Sequence, residues 1–145
     1  MGADTIYALS SGAGLAGVSV VRISGPHADA LLTSLGVSPL PEARYAALHK
    51  LGGDGPAIDQ ALVLRFPAPG SFTGEDVAEL HVHGGRAVLA AVFEAISGTG
   101  LARHAEPGEF TSWRPRPTPS GVWRCASMMG RWRISMRGGA PAWSI

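Results

Sequence analysis

Phe66-Pro-Ala-Pro-Gly-Ser-Phe-Thr-Gly-Glu-Asp-Val-Ala-Glu-Leu-His-Val-His-Gly-Gly85 is the stretch on which the fold turns. Pro67 and Pro69 end any strand that precedes them, because proline lacks the N–H that a sheet ladder uses. Thr73-Gly-Glu-Asp76 matches a helix capping box in part. The residues that follow alternate instead. Ala78, Leu80 and Val82 point one way and Glu79, His81 and His83 the other, which is the period of a strand. Gly84-Gly85 then precedes an apolar helical run. The strand thus carries three polar side chains between two Gly-rich turns, an arrangement that serves either a ligand site or plain punctuation.

Downstream, Arg86 to Ser97 has apolar residues at Val88, Leu89, Val92, Phe93 and Ile96. That stripe predicts a helix lying on a sheet, stopped by Gly98 and Gly100. Leu101 to Ala105 reads as a short last strand and Glu106 to Thr111 as a turn. Upstream, Ile58 to Phe66 reads as a strand with Ile58, Leu62, Leu64 and Phe66 on one face. Gly52-Gly-Asp-Gly-Pro56 is a strong turn, so Arg44 to Leu51 is expected to pair with that strand as a hairpin.

Nearer the N-terminus, Asp4 to Leu9 and Val18 to Ser24 read as strands, the second rich in β-branched residues. Gly25-Pro26 is expected to start a helix, with Pro26 in the first turn and Ala28, Leu31, Leu32 and Leu35 on its apolar face. Ser10 to Gly17 is a glycine-rich loop. A phosphate-binding loop needs Gly-x-x-x-x-Gly-Lys-Ser/Thr opening a helix; here no Lys follows and a strand comes next. Arg22 is unusual inside a β-branched run. It cannot shed its charge, so it must reach solvent, a carboxylate or an anionic ligand. Two histidines at i and i+2, His81 and His83, admit a metal, but no third ligand stands at a characteristic spacing. Strands and helices alternate with hairpins between them, which predicts an α+β domain with a mixed β-sheet covered by helices.

Composition is uneven. The 145 residues carry a net charge of +1 and 46% hydrophobic residues, as in an ordinary globular chain, with no overall nucleic-acid signature. A single cysteine, Cys125, excludes a disulfide framework and a Cys-based zinc site. No apolar run reaches the roughly 18 residues of a membrane span, and no signal peptide is evident, so a cytoplasmic location is expected. Residues 1–111 hold six basic and eleven acidic groups, whereas residues 112–145 hold six Arg, all four Trp and no acid. Three readings fit 112–145: a basic, aromatic nucleic-acid arm, a disordered linker, or an out-of-frame translation product of a GC-rich gene. The last fits the mixture of Trp, Arg, Pro, Gly, Ser and Met best.

Several of these segments together carry a resemblance. Asp4-Thr-Ile6, Gly17-Val-Ser-Val-Val-Arg-Ile-Ser-Gly25, Phe66 to Leu80, His83-Gly-Gly85 and Pro107-Gly-Glu-Phe-Thr111 stand in this order and spacing in the N-terminal domain of the MnmE (TrmE) family of tRNA-modification GTPases. The resemblance covers about residues 4 to 111 and places a domain boundary there: 1–111 as a folate-binding and dimerisation domain, 112–145 as a tail foreign to the family. It implies a fold similar to the tetrahydrofolate-binding domain of aminomethyltransferases. It implies a homodimer binding 5-formyl- or 5,10-methylene-tetrahydrofolate, with Arg22 and Glu79 as the folate contacts. His83 and Gly84-Gly85 would shape the pocket wall.

The resemblance also implies partners: the flavoprotein MnmG and tRNA, whose wobble uridine (U34) is modified with folate as the one-carbon donor. GTP, Mg and K would belong to a GTPase domain. No Gly-x-x-x-x-Gly-Lys-Ser/Thr occurs in these residues, so no GTPase activity is expected of this chain alone. A family basic residue that completes the folate site has no counterpart after Thr111, so the resemblance leads to the expectation of a truncated fragment that is non-functional as it stands. Two other functions stay open: a stand-alone folate-dependent one-carbon transfer fragment, using His81, His83 or Asp76 as acid or base, and an RNA-binding fragment using the basic tail.

Overall fold

The computed structural model describes residues 4–110 except 13 and 15; the tail 112–145, and every reading of it above, lies outside the described residues. Six strands and two helices follow one another: β1 (Ile6–Leu9), β2 (Val18–Ser24), α1 (Ala28–Ser34), β3 (Ala47–Leu51), β4 (Asp59–Phe66), β5 (Val77–His83), α2 (Arg86–Gly98) and β6 (Arg103–His104). They form one sheet in the order β3-β4-β5-β2-β1-β6. Every neighbouring pair is antiparallel except β1 with β6. The sheet is therefore mixed, and the α+β class holds.

Both helices pack on the same face. Leu31 and Leu32 of α1 and Val92 and Ile96 of α2 share one core with Val21, Ile23, Ala61, Val63, Ala78, Leu80 and Val82. Alternation in β5 places Ala78, Leu80 and Val82 in that core, as their spacing predicts. Tyr7 ties β1 to α2, its hydroxyl 2.6 Å from Ser97 Oγ. Among the described residues, no helix covers the opposite face, which carries Val20, Arg22, Leu48, Leu62, Leu64, Glu79 and His81 by strand register.

One expectation is corrected. Pro26 precedes α1 instead of opening it. Gly25, at φ +137°, takes a turn in which a side chain would run into the backbone of Thr5. The N–H of His27 then donates to Thr5 Oγ1 at 3.0 Å, which fixes the helix start one residue later. In β4, Leu62, Leu64 and Phe66 share a face as expected, and the core lies on the other side, under Ala61 and Val63. Both faces of this strand are apolar, so alternation alone does not choose between them. The register with β5 decides, setting Val63 opposite Leu80 and Leu64 opposite Glu79.

Candidate functional site

The uncovered face has a polar centre. Antiparallel register places Arg22 of β2 directly opposite Glu79 of β5. Arg22 Nη2 lies 2.7 Å and Nε 3.1 Å from Glu79 Oε1, so two donors converge on one oxygen. The other oxygen, Oε2, is 3.2 Å from His81 Nε2. The carboxylate is thus held from both sides. Arg22 keeps 25% and Glu79 16% of its side chain in contact with solvent, so both are largely but not wholly buried. Leu64 flanks Glu79, and Leu62 and Val20 flank His81 across the neighbouring strands.

A second layer comes from the Pro-rich loop before β5. Phe72, 48% exposed, places its ring centroid 5.5 Å from the Arg22 guanidinium carbon. This is a cation–π distance. Thr73 reaches the end of β2, its hydroxyl 2.7 Å from Ser24 Oγ. Asp76 closes the loop on itself: its Oδ1 accepts from the Ala68 N–H at 2.8 Å, and its carbonyl accepts from the Gly25 N–H at 2.9 Å. Asp76 therefore fixes the loop and does not join the Arg22–Glu79 cluster.

His83 points elsewhere. Its Nδ1 is 2.7 Å from Asp59 Oδ1, and its backbone N–H donates to Asp59 Oδ2 at 2.8 Å. Burial raises the pKa of Asp59, but the hydrogen bonds from the His83 backbone and ring outweigh it, and the net shift is downward. The two histidines thus serve separate acids. Among the described residues, no group of three His, Cys, Asp or Glu side chains could hold a metal ion.

The double glycine has a steric reason. The Gly84 N–H donates to the Gly17 carbonyl at 3.3 Å. A Cβ on Gly84 would overlap the carbonyl oxygen of Ala16. The loop after β1 can seat against the end of β5 only because residue 84 has no side chain.

Arg22 and Glu79, the two site residues predicted from sequence, are brought into contact, and His81 joins them. Residues 5–114 match the family described as GTP-binding protein TrmE N-terminus. The chain belongs to the TrmE N-terminal family. Its relatives include the tRNA modification GTPases MnmE of Phenylobacterium zucineum and Paramagnetospirillum magneticum, each 56% identical over 109 residues. The MnmE of Rhizobium meliloti is 54% identical over the same length. These matches cover 74% of this chain and 24% of each relative, so the chain spans about a quarter of their length.

Within this TrmE-type domain, the sequence flagged neither Phe72, which neighbours the site, nor Asp59, which draws His83 away from it. The available signal for Phe72 was a large aromatic residue in a turn otherwise made of Pro, Gly, Ser and Thr. Asp59 gave none, because its contact with His83 depends on the pairing of β4 with β5.

Proposed function

We propose that this chain is the tetrahydrofolate-binding and dimerisation module of a tRNA wobble-uridine modification GTPase, built like the folate domain of aminomethyltransferases. Arg22 and Glu79 are its folate contacts. The observation that carries the reading is the Arg22–Glu79 pair at 2.7 Å on the uncovered sheet face. A pterin presents adjacent N–H donors that a carboxylate accepts in parallel, and a charged acceptor strengthens such bonds. An Arg engages the carbonyl edge or the anionic tail of the same ligand. The exposed Leu48 and Leu62, on the same sheet face in strands β3 and β4, supply apolar surface for a second copy.

In this reading the module offers 5-formyl- or 5,10-methylene-tetrahydrofolate as the one-carbon source. Its partners are a second copy, the flavoprotein MnmG and tRNA, in the cytoplasm. GTP hydrolysis is assigned to sequence outside these residues, since they contain no phosphate-binding loop motif. Among the described residues, no helix is long and apolar enough to cross a membrane.

Isothermal titration of the full chain with 5-formyltetrahydrofolate tests the proposal. Saturable binding that is lost in both Arg22→Ala and Glu79→Ala is the expected result. No heat at high micromolar ligand, or variants indistinguishable from wild type, overturns it.

A further inference from the structure

Phe72 belongs to no strand and to no core. Its loop is fastened on both sides of it. Ser71 is buried and its hydroxyl donates to the Glu75 carbonyl. Thr73 is joined to Ser24 at 2.7 Å. These ties hold the backbone while leaving 48% of Phe72 exposed, so the ring forgoes the burial that an apolar side chain favours. It stands instead against Arg22, 5.5 Å from centroid to guanidinium carbon.

The Arg22 guanidinium is a flat array of N–H donors. It aims two of them at Glu79 Oε1 and presents itself to an aromatic ring. The amino-pyrimidine edge of a pterin is also a flat array of N–H donors, and it would use the same carboxylate and the same ring. We propose that in the unliganded chain the Arg22 guanidinium occupies the place of the ligand's amino-pyrimidine ring, and that Phe72 is the stacking wall for that ring. On binding, the ring takes over donation to Glu79 and contact with Phe72. Arg22 turns outward to the ligand's carbonyl edge or anionic tail, while His81 stays on Glu79 Oε2. This inference rests on the folate reading above and adds the wall and the exchange to it.

Titration calorimetry of the full chain tests it with three probes: 5-formyltetrahydrofolate, pterin-6-carboxylate for the ring alone, and p-aminobenzoylglutamate for the tail alone. Phe72→Ala is expected to weaken the first two about tenfold, as loss of one aromatic stack does, and to leave the third unchanged. Phe72→Tyr is expected to stay within about twofold of wild type, and Phe72→Leu to fall between Tyr and Ala. Tyr and Leu keep the test alive if the Ala variant does not fold. Wild-type affinity in Phe72→Ala, full rescue by Leu, or equal losses for ring and tail overturns the stacking wall. Failure of wild type to bind any probe overturns the folate reading itself.

Discussion

Arg22 and Glu79, 57 positions apart in the chain, face each other across β2 and β5 with 2.7 Å between guanidinium and carboxylate. Both are partly exposed, and exposed pairs contribute little to stability, about 0–1 kcal/mol. The pair is therefore expected to matter more for binding than for folding. Glu79→Gln keeps the shape and removes the charge. It is expected to lower the thermal midpoint by only a few degrees while weakening 5-formyltetrahydrofolate at least tenfold, through loss of charge-assisted hydrogen bonds. Differential scanning fluorimetry beside calorimetry separates the two effects; a large fall in midpoint with unchanged affinity contradicts this assignment.

Gly84 is a second point of leverage. A methyl group there meets the Ala16 carbonyl, whereas at Gly98 nothing lies within 4 Å of an added Cβ. Gly84→Ala is expected to destabilise by about 1–3 kcal/mol, the usual cost of forcing a packed backbone apart. Gly98→Ala is expected to be neutral or to stabilise by up to about 1 kcal/mol, since alanine is the better residue in a helix. Urea unfolding of both variants checks the contrast.

The strand β4 offers a test of which sheet face is the core. Val63 is fully buried and Leu62 is 44% exposed. Val63→Ala is expected to cost about 1.5–3 kcal/mol through lost burial and the cavity left behind. Leu62→Ala is expected to stay within about 0.5 kcal/mol for the monomer, at a protein concentration where a second copy has dissociated, as surface changes do. Equal losses in chemical unfolding would mean that the second face is also covered.

Acid should reveal the Asp59–His83 contact. The folded pKa of Asp59 lies below its ordinary value of 3.8, since hydrogen bonds from His83 outweigh the opposing effect of burial. Such a group adds stability that is fully present above the unfolded value and is lost as pH falls through the folded one. Wild type is therefore expected to be more stable than Asp59→Asn near pH 6. The gap should shrink as the pH is lowered below about 4. Unfolding midpoints measured from pH 6 down to pH 3 decide it; a gap that widens in acid would point to a different titrating group.

Much of the fold was legible because several segments agree on one answer. The alternation of Val77 to His83, the stripe of Arg86 to Ser97 and the Gly-Gly-Asp-Gly-Pro turn each specify a local structure, and the structure contains all three. Arg22 stood out because a charge inside a β-branched run needs a partner, whereas Glu79 was told apart from His81 and His83 only by the resemblance to the family. The other parts of the site were less visible. Leu62 and Leu64 look like core residues in isolation, since burial pattern is a property of the sheet and not of the strand. Phe72 looks like a misplaced apolar residue until the loop brings it over Arg22.

The sequence by itself determined the elements, their order, the family and the two charged residues at the centre of the uncovered face. Only the tertiary structure decided that these two touch, that His81 completes their cluster while His83 goes to Asp59, and that Phe72 stands against the guanidinium. The physical reason is register. Local propensity and periodicity act over a few residues along the chain, whereas a cross-strand contact is fixed by how whole strands align when one face of the sheet is buried.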